Sequence, residues 1–260
     1  MNSPRAIGRA TGAVRPSPIF LLVVAITVAG GVLAWNSDVF SRTAEFGVFI
    51  MVIAGWVVSL CLHEFAHAYV AYRAGDREVE LRGYLTLNPL KYSHPLLSIV
   101  LPMLFIAIGG FALPGGAVYV HSHTFSPRTQ RILSAAGPAV NAVCALVLLI
   151  VIRVFGSESS HPAFWFGLSY LAYFQIMATV LNLIPIPGTD GYGILEPSLS
   201  YQTRRSLDQI KPYGMLLLVA LLFVPELRDL FFGAIDSLFG LSGIPRDWIA
   251  YGSSLLRFWN

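Results

Sequence analysis

Apolar residues along this chain gather into long runs separated by short polar stretches, at about 18–35, 45–72, 132–153, 163–184 and 211–224, with weaker runs at about 95–113 and 227–241. Runs of about 20 residues match the length a helix needs to cross a hydrocarbon core. The pattern predicts an all-α polytopic membrane protein with about six transmembrane helices. Arg5, Arg9 and Arg15 precede the first run, and no small-residue cleavage site follows before Trp35 and Asn36, so 18–35 is expected to be a retained anchor helix. Near the end, Trp248, Tyr251, Leu255, Leu256, Phe258 and Trp259 alternate with Arg246, Asp247 and Arg257, a pattern suited to an amphipathic segment at the membrane interface. One membrane-embedded domain is expected, comprising the anchor, a core at about 45–200, and a C-terminal helix with an interfacial segment at 211–260.

Composition strengthens this reading. The 260 residues are 55% hydrophobic and 12% charged, with a mean hydropathy of +0.66, against about 25% charged in a soluble domain. The net charge of +3 is small and its Lys and Arg lie in the loops, so it reports orientation and argues against nucleic-acid binding. The two cysteines, Cys61 and Cys144, fall in apolar runs, which excludes a disulfide framework and gives Cys61 a packing role.

The basic residues also set an orientation. Arg73, Arg77, Arg82 and Lys91 place the polar stretch 73–94 in the cytosol. The chain then starts inside, leaves through the first run and returns through the second. Arg128 and Arg131, and later Arg204, Arg205 and Lys211, mark further cytosolic loops, whereas Glu158 and His161 fall in an external one. A full crossing at 95–113 would invert everything downstream. Pro102, Gly109, Gly110, Pro114, Gly115 and Gly116 favour a re-entrant segment there over a plain helix. Within 73–94, the alternation in Glu78-Val79-Glu80-Leu81 and Tyr84-Leu85-Thr86-Leu87 around Gly83 predicts a short β-hairpin, and Ala117-Val118-Tyr119-Val120 also has strand character.

The chemistry lies inside the second run. In His63-Glu64-Phe65-Ala66-His67 the two histidines are four apart, about 40° around a helix, so both imidazoles project from one face. Such a pair can hold one zinc ion while the intervening Glu64 handles a proton of the attacking water. A third protein ligand must come from elsewhere. Asp190 is the best candidate, because Pro185, Pro187 and Gly188 break the preceding helix and let a carboxylate turn inward. Taken alone, Asp190 also suits a helix N-cap at the membrane surface; its pairing with the two histidines tips the balance, and Glu196 is the competing carboxylate. His121 and His123 have an i, i+2 spacing that can bind metal along a strand, and His94 suits an interfacial loop or the entrance to the site.

Four motifs in order then resemble the site-two protease family of intramembrane zinc metalloproteases. Leu62-His63-Glu64-Phe65-Ala66-His67-Ala68 is similar to the family's first motif, and Asn182-Leu183-Ile184-Pro185-Ile186-Pro187-Gly188-Thr189-Asp190-Gly191 to its Asn-x-x-Pro-x-Pro-x-x-Asp-Gly motif. Gly137-Pro138-Ala139-Val140-Asn141 matches the helix that packs against the catalytic pair, and Arg82–Leu90 with His94-Pro95 resembles the subgroup lacking a PDZ domain. The resemblance implies one Zn2+ per chain on His63, His67 and Asp190, Glu64 as the catalytic residue, and Asn141 and Asn182 as groups that orient the substrate backbone or the oxyanion. Hydrogen bonding between helices is the other role open to both asparagines. It further implies transmembrane protein or peptide substrates, a lipid bilayer as the working medium, and a multi-pass location in a cell membrane, expected to be a prokaryotic plasma membrane, with the site near the cytosolic face. The rival readings are an inactive membrane-protein binding or chaperone module and a metal transporter. Thr189 departs from the Leu common before the ligand Asp, and Pro114–Val118 from a loop that often carries a basic residue. No PDZ or CBS module is expected.

Overall fold

The computed structural model describes residues 14–39, 41–92, 124–257 and 259. Helix starts follow local chemistry. Ser17 caps α1 (Pro18–Trp35), Ser41 caps α2 (Arg42–Arg73) and Ser126 caps α3 (Pro127–Phe155), each accepting a hydrogen bond from the backbone N–H three residues on. Pro18 and Pro127 sit at the first helical position, where a missing N–H costs nothing, and Pro162 does the same for α4 (Pro162–Leu183). These four helices are long and apolar enough to cross a membrane, and they coincide with four of the expected runs.

The central pair is α2 and α4, buried along most of their length, while α1 and α3 pack outside them. Leu21, Leu22, Val28 and Val32 of α1, and Val143, Val147, Ile150 and Val154 of α3, remain exposed and give each helix an outer apolar face of the kind a bilayer covers. The first helix is integral to the core. Its Gly30 and Gly47 of α2 meet so closely that a Cβ on Gly30 would lie 2.5 Å from the Met51 nitrogen, and one on Gly47 2.7 Å from the Ala34 nitrogen. At one end His161 stacks on Trp35 at 3.8 Å and donates its Nδ1–H to the Trp35 carbonyl at 2.6 Å, tying the start of α4 to the end of α1. At the other end the Ser17 N–H donates to the Thr86 carbonyl.

The β-hairpin expected over 78–87 does not form, and among the described residues there is no strand. Glu78–Leu81 is one helical turn, started by Asp76 accepting from the Glu78 N–H and tied by the Glu78–Arg82 ion pair one turn apart. Tyr84–Thr86 is a 3-10 turn between Gly83 and Leu87, both left-handed at φ 78° and 56°. Four-residue alternation cannot separate a strand from one turn that buries only Val79.

About six spans are not confirmed: among the described residues four helices are long and apolar enough to cross. After the short helices α5 (Asp190–Leu195) and α6 (Tyr201–Asp208), the 211–224 run yields only the ten-residue α7 (Gly214–Phe223), roughly 15 Å long by helical rise. It breaks at Val224-Pro225 into α8 (Pro225–Gly240). Helix α9 (Asp247–Leu256) is docked on α4 and α2: Trp248, Gly252, Leu255 and Leu256 are buried, and the Trp248 Nε1–H donates to Glu158 at 2.6 Å. The re-entrant segment at 95–113, the strand at 117–120, and His94, His121 and His123 lie outside the described residues.

Candidate metal centre

Three elements build the site. His63 and His67 lie on the buried face of α2, ten and six residues before its end. Beyond α4, Ile184–Thr189 turns back so that α5 (Asp190–Leu195) begins with Asp190 facing both rings. Thr189 makes this turn: its hydroxyl lies 2.5 Å from the Ile184 carbonyl and 2.9 Å from that of Ile186, while its oxygen caps the Tyr192 N–H. The polar residue that departs from the family's usual Leu therefore has a structural task. Gly191 permits the close return, since a Cβ there would lie 2.2 Å from the Leu183 oxygen.

The two imidazoles meet each other and the Asp190 carboxylate, one oxygen facing each ring. His63 Nε2 lies 3.1 Å from His67 Nε2 and 3.2 Å from Asp190 Oδ2, and His67 Nε2 lies 3.3 Å from Asp190 Oδ1. One ligand atom from each of the three residues lies within 4.8 Å of the others, close enough together to form a site for a single metal ion. The opposite ring nitrogens agree. His67 Nδ1 lies 2.7 Å from the Leu133 carbonyl, which only accepts, and His63 Nδ1 lies 2.5 Å from Asn141 Oδ1. With neutral rings both protons are on Nδ1, and two Nε2 lone pairs converge with a carboxylate on one point. Three acceptors so placed repel one another unless a cation lies between them. The residues fit a zinc ion.

The third wall is α3. A Cβ on Gly137 would fall 2.3 Å from His67 Nε2 and 2.4 Å from His63 Nε2, so only glycine leaves the donors room. Pro138 follows inside the helix, where its missing N–H withholds the usual partner from the Ser134 carbonyl. Glu64 is 2% exposed beside His63. On its other side Tyr92 donates its hydroxyl to the Cys61 carbonyl at 3.0 Å; burial, with Cys61 and Glu64 nearby, pushes that hydroxyl's pKa up and keeps it a neutral donor.

Comparison with known proteins agrees with this geometry. Residues 49–164, which hold His63, Glu64, His67 and Asn141, match the model of peptidase family M50. The chain is 52% identical over 248 residues, 95% of each chain, to a protein of Mycolicibacterium smegmatis named "Putative zinc metalloprotease Rip2", and 50% identical over the same length and coverage to its namesake in Mycobacterium tuberculosis. The chain belongs to peptidase family M50. A more distant member, YwhC of Bacillus subtilis, is 34% identical over 178 residues, 65% of this chain and 78% of that one. No solved structure matches. M50 is the site-two protease family that the motifs resemble.

Against the M50 motifs, the structure brings together His63, His67, Asp190 and Asn141. The Asn182 Nδ2 donates to the Ala178 carbonyl one turn back on its own helix at 3.0 Å. Glu196 caps the end of α5 and is not among the three residues grouped around the metal position. Two buried residues of this M50 chain escaped the sequence reading. Gln175 and Ser59 are 1% and 5% exposed and continue the hydrogen bonding behind Asn141. The available signal was a lone amide and a lone hydroxyl inside long apolar runs, which says that each has a partner but not which one.

Proposed function

We propose that this M50 peptidase cleaves peptide bonds within or beside the transmembrane helices of membrane-protein substrates, in a cell membrane and near its cytosolic face, with His63, His67 and Asp190 as zinc ligands and Glu64 as the proton-transfer residue. The observation that supports this reading most directly is that His63 Nε2 and His67 Nε2, on the helix that carries Glu64, lie 3.1 Å apart and 3.2 and 3.3 Å from the two Asp190 carboxylate oxygens. Zinc bound there supplies a Lewis acid that polarises the scissile carbonyl and makes water acidic enough to attack near neutral pH. The chain's residues do the rest. Glu64 takes the proton of the attacking water on a carboxylate oxygen and passes it to the departing amide nitrogen, so the same group serves as base and then acid. Asn141, at 2.5 Å from His63, is better supported as a holder of that ring than as a substrate contact. A helical peptide bond has its carbonyl engaged, so the substrate must unwind locally before attack.

The cytosolic placement is supported by the fold. The ends of α2 and α4 near the donors share a side with Arg73, Arg77, Arg128 and Arg131, and the 156–161 loop lies at the opposite end against Trp35. Glu64→Gln is expected to retain one zinc per chain and to abolish cleavage of a reporter membrane protein, read by immunoblot of the fragment. Cleavage at the wild-type rate would sink the reading and leave the binding-module alternative. Asp190→Ala is expected to lose both zinc and cleavage.

A further inference from the structure

Behind His63 runs a chain of hydrogen bonds that crosses three helices and contains no charge. Ser59 Oγ donates to the Trp56 carbonyl at 2.8 Å, Gln175 Nε2 donates to Ser59 Oγ at 2.8 Å, and Asn141 Nδ2 donates to Gln175 Oε1 at 2.9 Å. Asn141 Oδ1 then faces His63 Nδ1 at 2.5 Å. Ser59, Asn141 and Gln175 are 5%, 4% and 1% exposed. Each comes from a different helix, α2, α3 and α4 in turn.

The sense of every bond is set from one end. A carbonyl only accepts, so the Ser59 hydroxyl points at Trp56 and offers its lone pair to Gln175. Gln175 must answer with its NH2 group, which turns its oxygen toward Asn141. Asn141 must in turn answer with its NH2 group, which turns its oxygen toward the ring. His63 then carries its proton on Nδ1 and its lone pair on Nε2, the atom facing Asp190 and His67. Flipping any one amide would set donor against donor or acceptor against acceptor where burial leaves little access to water, at the cost of an unmade buried hydrogen bond.

We propose that Gln175, supported by Ser59, is a positioning residue that acts through Asn141 to hold His63 in the tautomer and orientation needed to bind metal. It touches neither substrate nor metal. The proposal rests on the metal-centre reading and goes beyond it, because it assigns a role to two residues that no family motif contains. A role in packing alone would make Gln175 replaceable by an apolar side chain of its length. The orientation role makes it replaceable only by a group that keeps the sense of the chain.

The test is zinc affinity of the purified full-length chain, by chelator competition, alongside the melting temperature of the metal-free form. Gln175→Met keeps length and packing and removes both hydrogen bonds, and Asn141→Leu removes the next link. Each is expected to weaken zinc binding about 10- to 100-fold, the usual effect of losing a group behind a ligand histidine. The double variant is expected to lose no more than the weaker-binding single, because both act on one ring through one path. Ser59→Ala is expected to weaken binding and Ser59→Thr, which keeps the hydroxyl, to restore it; this pair decides the matter if Gln175→Met does not fold. Wild-type zinc affinity in Gln175→Met, losses that multiply fully in the double variant, or equal affinity in the two Ser59 variants would overturn the proposal. A wild-type chain that binds no zinc, or an Asp190→Ala form that binds it normally, would overturn the metal-centre reading instead.

Discussion

At the scale of single residues, the site depends on what is withheld as much as on what is present. Gly137 adds no atom beyond its backbone, yet any side chain there would occupy the space the donors face, with contacts of 2.3–2.6 Å to the two imidazoles. Gly137→Ala is therefore expected to cut zinc content well below one per chain. Alanine is the better helix former by about 1 kcal/mol, so the metal-free fold is not expected to weaken to match. Metal analysis alongside thermal unfolding checks the separation, and normal zinc content in a folded Gly137→Ala protein would remove α3 from the site wall. Thr189 is the opposite case, where one hydroxyl spans the carbonyls of the turn and caps α5. Thr189→Val keeps the shape and removes the oxygen; a loss of about 0.5–2 kcal/mol is expected, as for other N-caps, read as a lower melting temperature with weaker zinc binding. The grouping of His63, His67 and Asp190 was legible because two histidines four apart on a helix call for a third ligand, and a carboxylate after a proline break can supply it. Gln175 was not, because the pattern within α4 says nothing of the Ser59 and Asn141 that meet it from other helices.

At the scale of elements, legibility followed length. The four long helices were readable from apolar runs, since in a bilayer a run of that length has to satisfy its backbone internally. The short elements were not. Glu78–Leu81 and Tyr84–Thr86 take their form from Asp76, the Glu78–Arg82 pair and two left-handed residues, signals that four letters of alternation mask. The run at 211–224 ends on a proline break that a hydropathy window averages away. The apolar side of α9 looked like a lipid-facing side and is instead a packing face. Its Gly252 lies so close to α4 that a Cβ would sit 2.3 Å from the Phe166 carbonyl oxygen and 2.8 Å from the Tyr170 Cβ. A backbone oxygen cannot swing aside, so Gly252→Val is expected to push α9 off α4 and to cost about 1–3 kcal/mol, the range for overpacking. The ligands lie on α2 and α5, so zinc stoichiometry is expected to stay at one per chain. Unchanged thermal stability in Gly252→Val would mean that α9 contributes nothing to the fold.

At the scale of the whole molecule, the zinc site joins His63 and His67 to a turn more than a hundred residues later, so metal and fold are thermodynamically linked. A ligand bound only by the folded state at about 100 times its Kd adds about 2.7 kcal/mol. Chelation is accordingly expected to lower the melting temperature of the wild-type chain and to leave that of Asp190→Ala unmoved; a wild-type transition indifferent to chelator would break the link. Sidedness is the other property that belongs to the whole. His161 and Trp35 fix one end of the bundle, whereas Arg131, whose guanidinium donates to Ser198 at 2.8 Å, joins α3 to the segment after α5 at the end that carries the ligands. Ser159 and Ser206 are exposed at these opposite ends. In a background with Cys61 and Cys144 replaced by alanine, Ser159→Cys is expected to react with a membrane-impermeant maleimide on intact cells. Ser206→Cys is expected to react only after permeabilisation. The reverse pattern would put the donors on the outer side, where the basic loops of 73–82 and 128–131 would contradict the positive-inside tendency, and the water that Glu64 is proposed to deprotonate would have to enter from outside the cell.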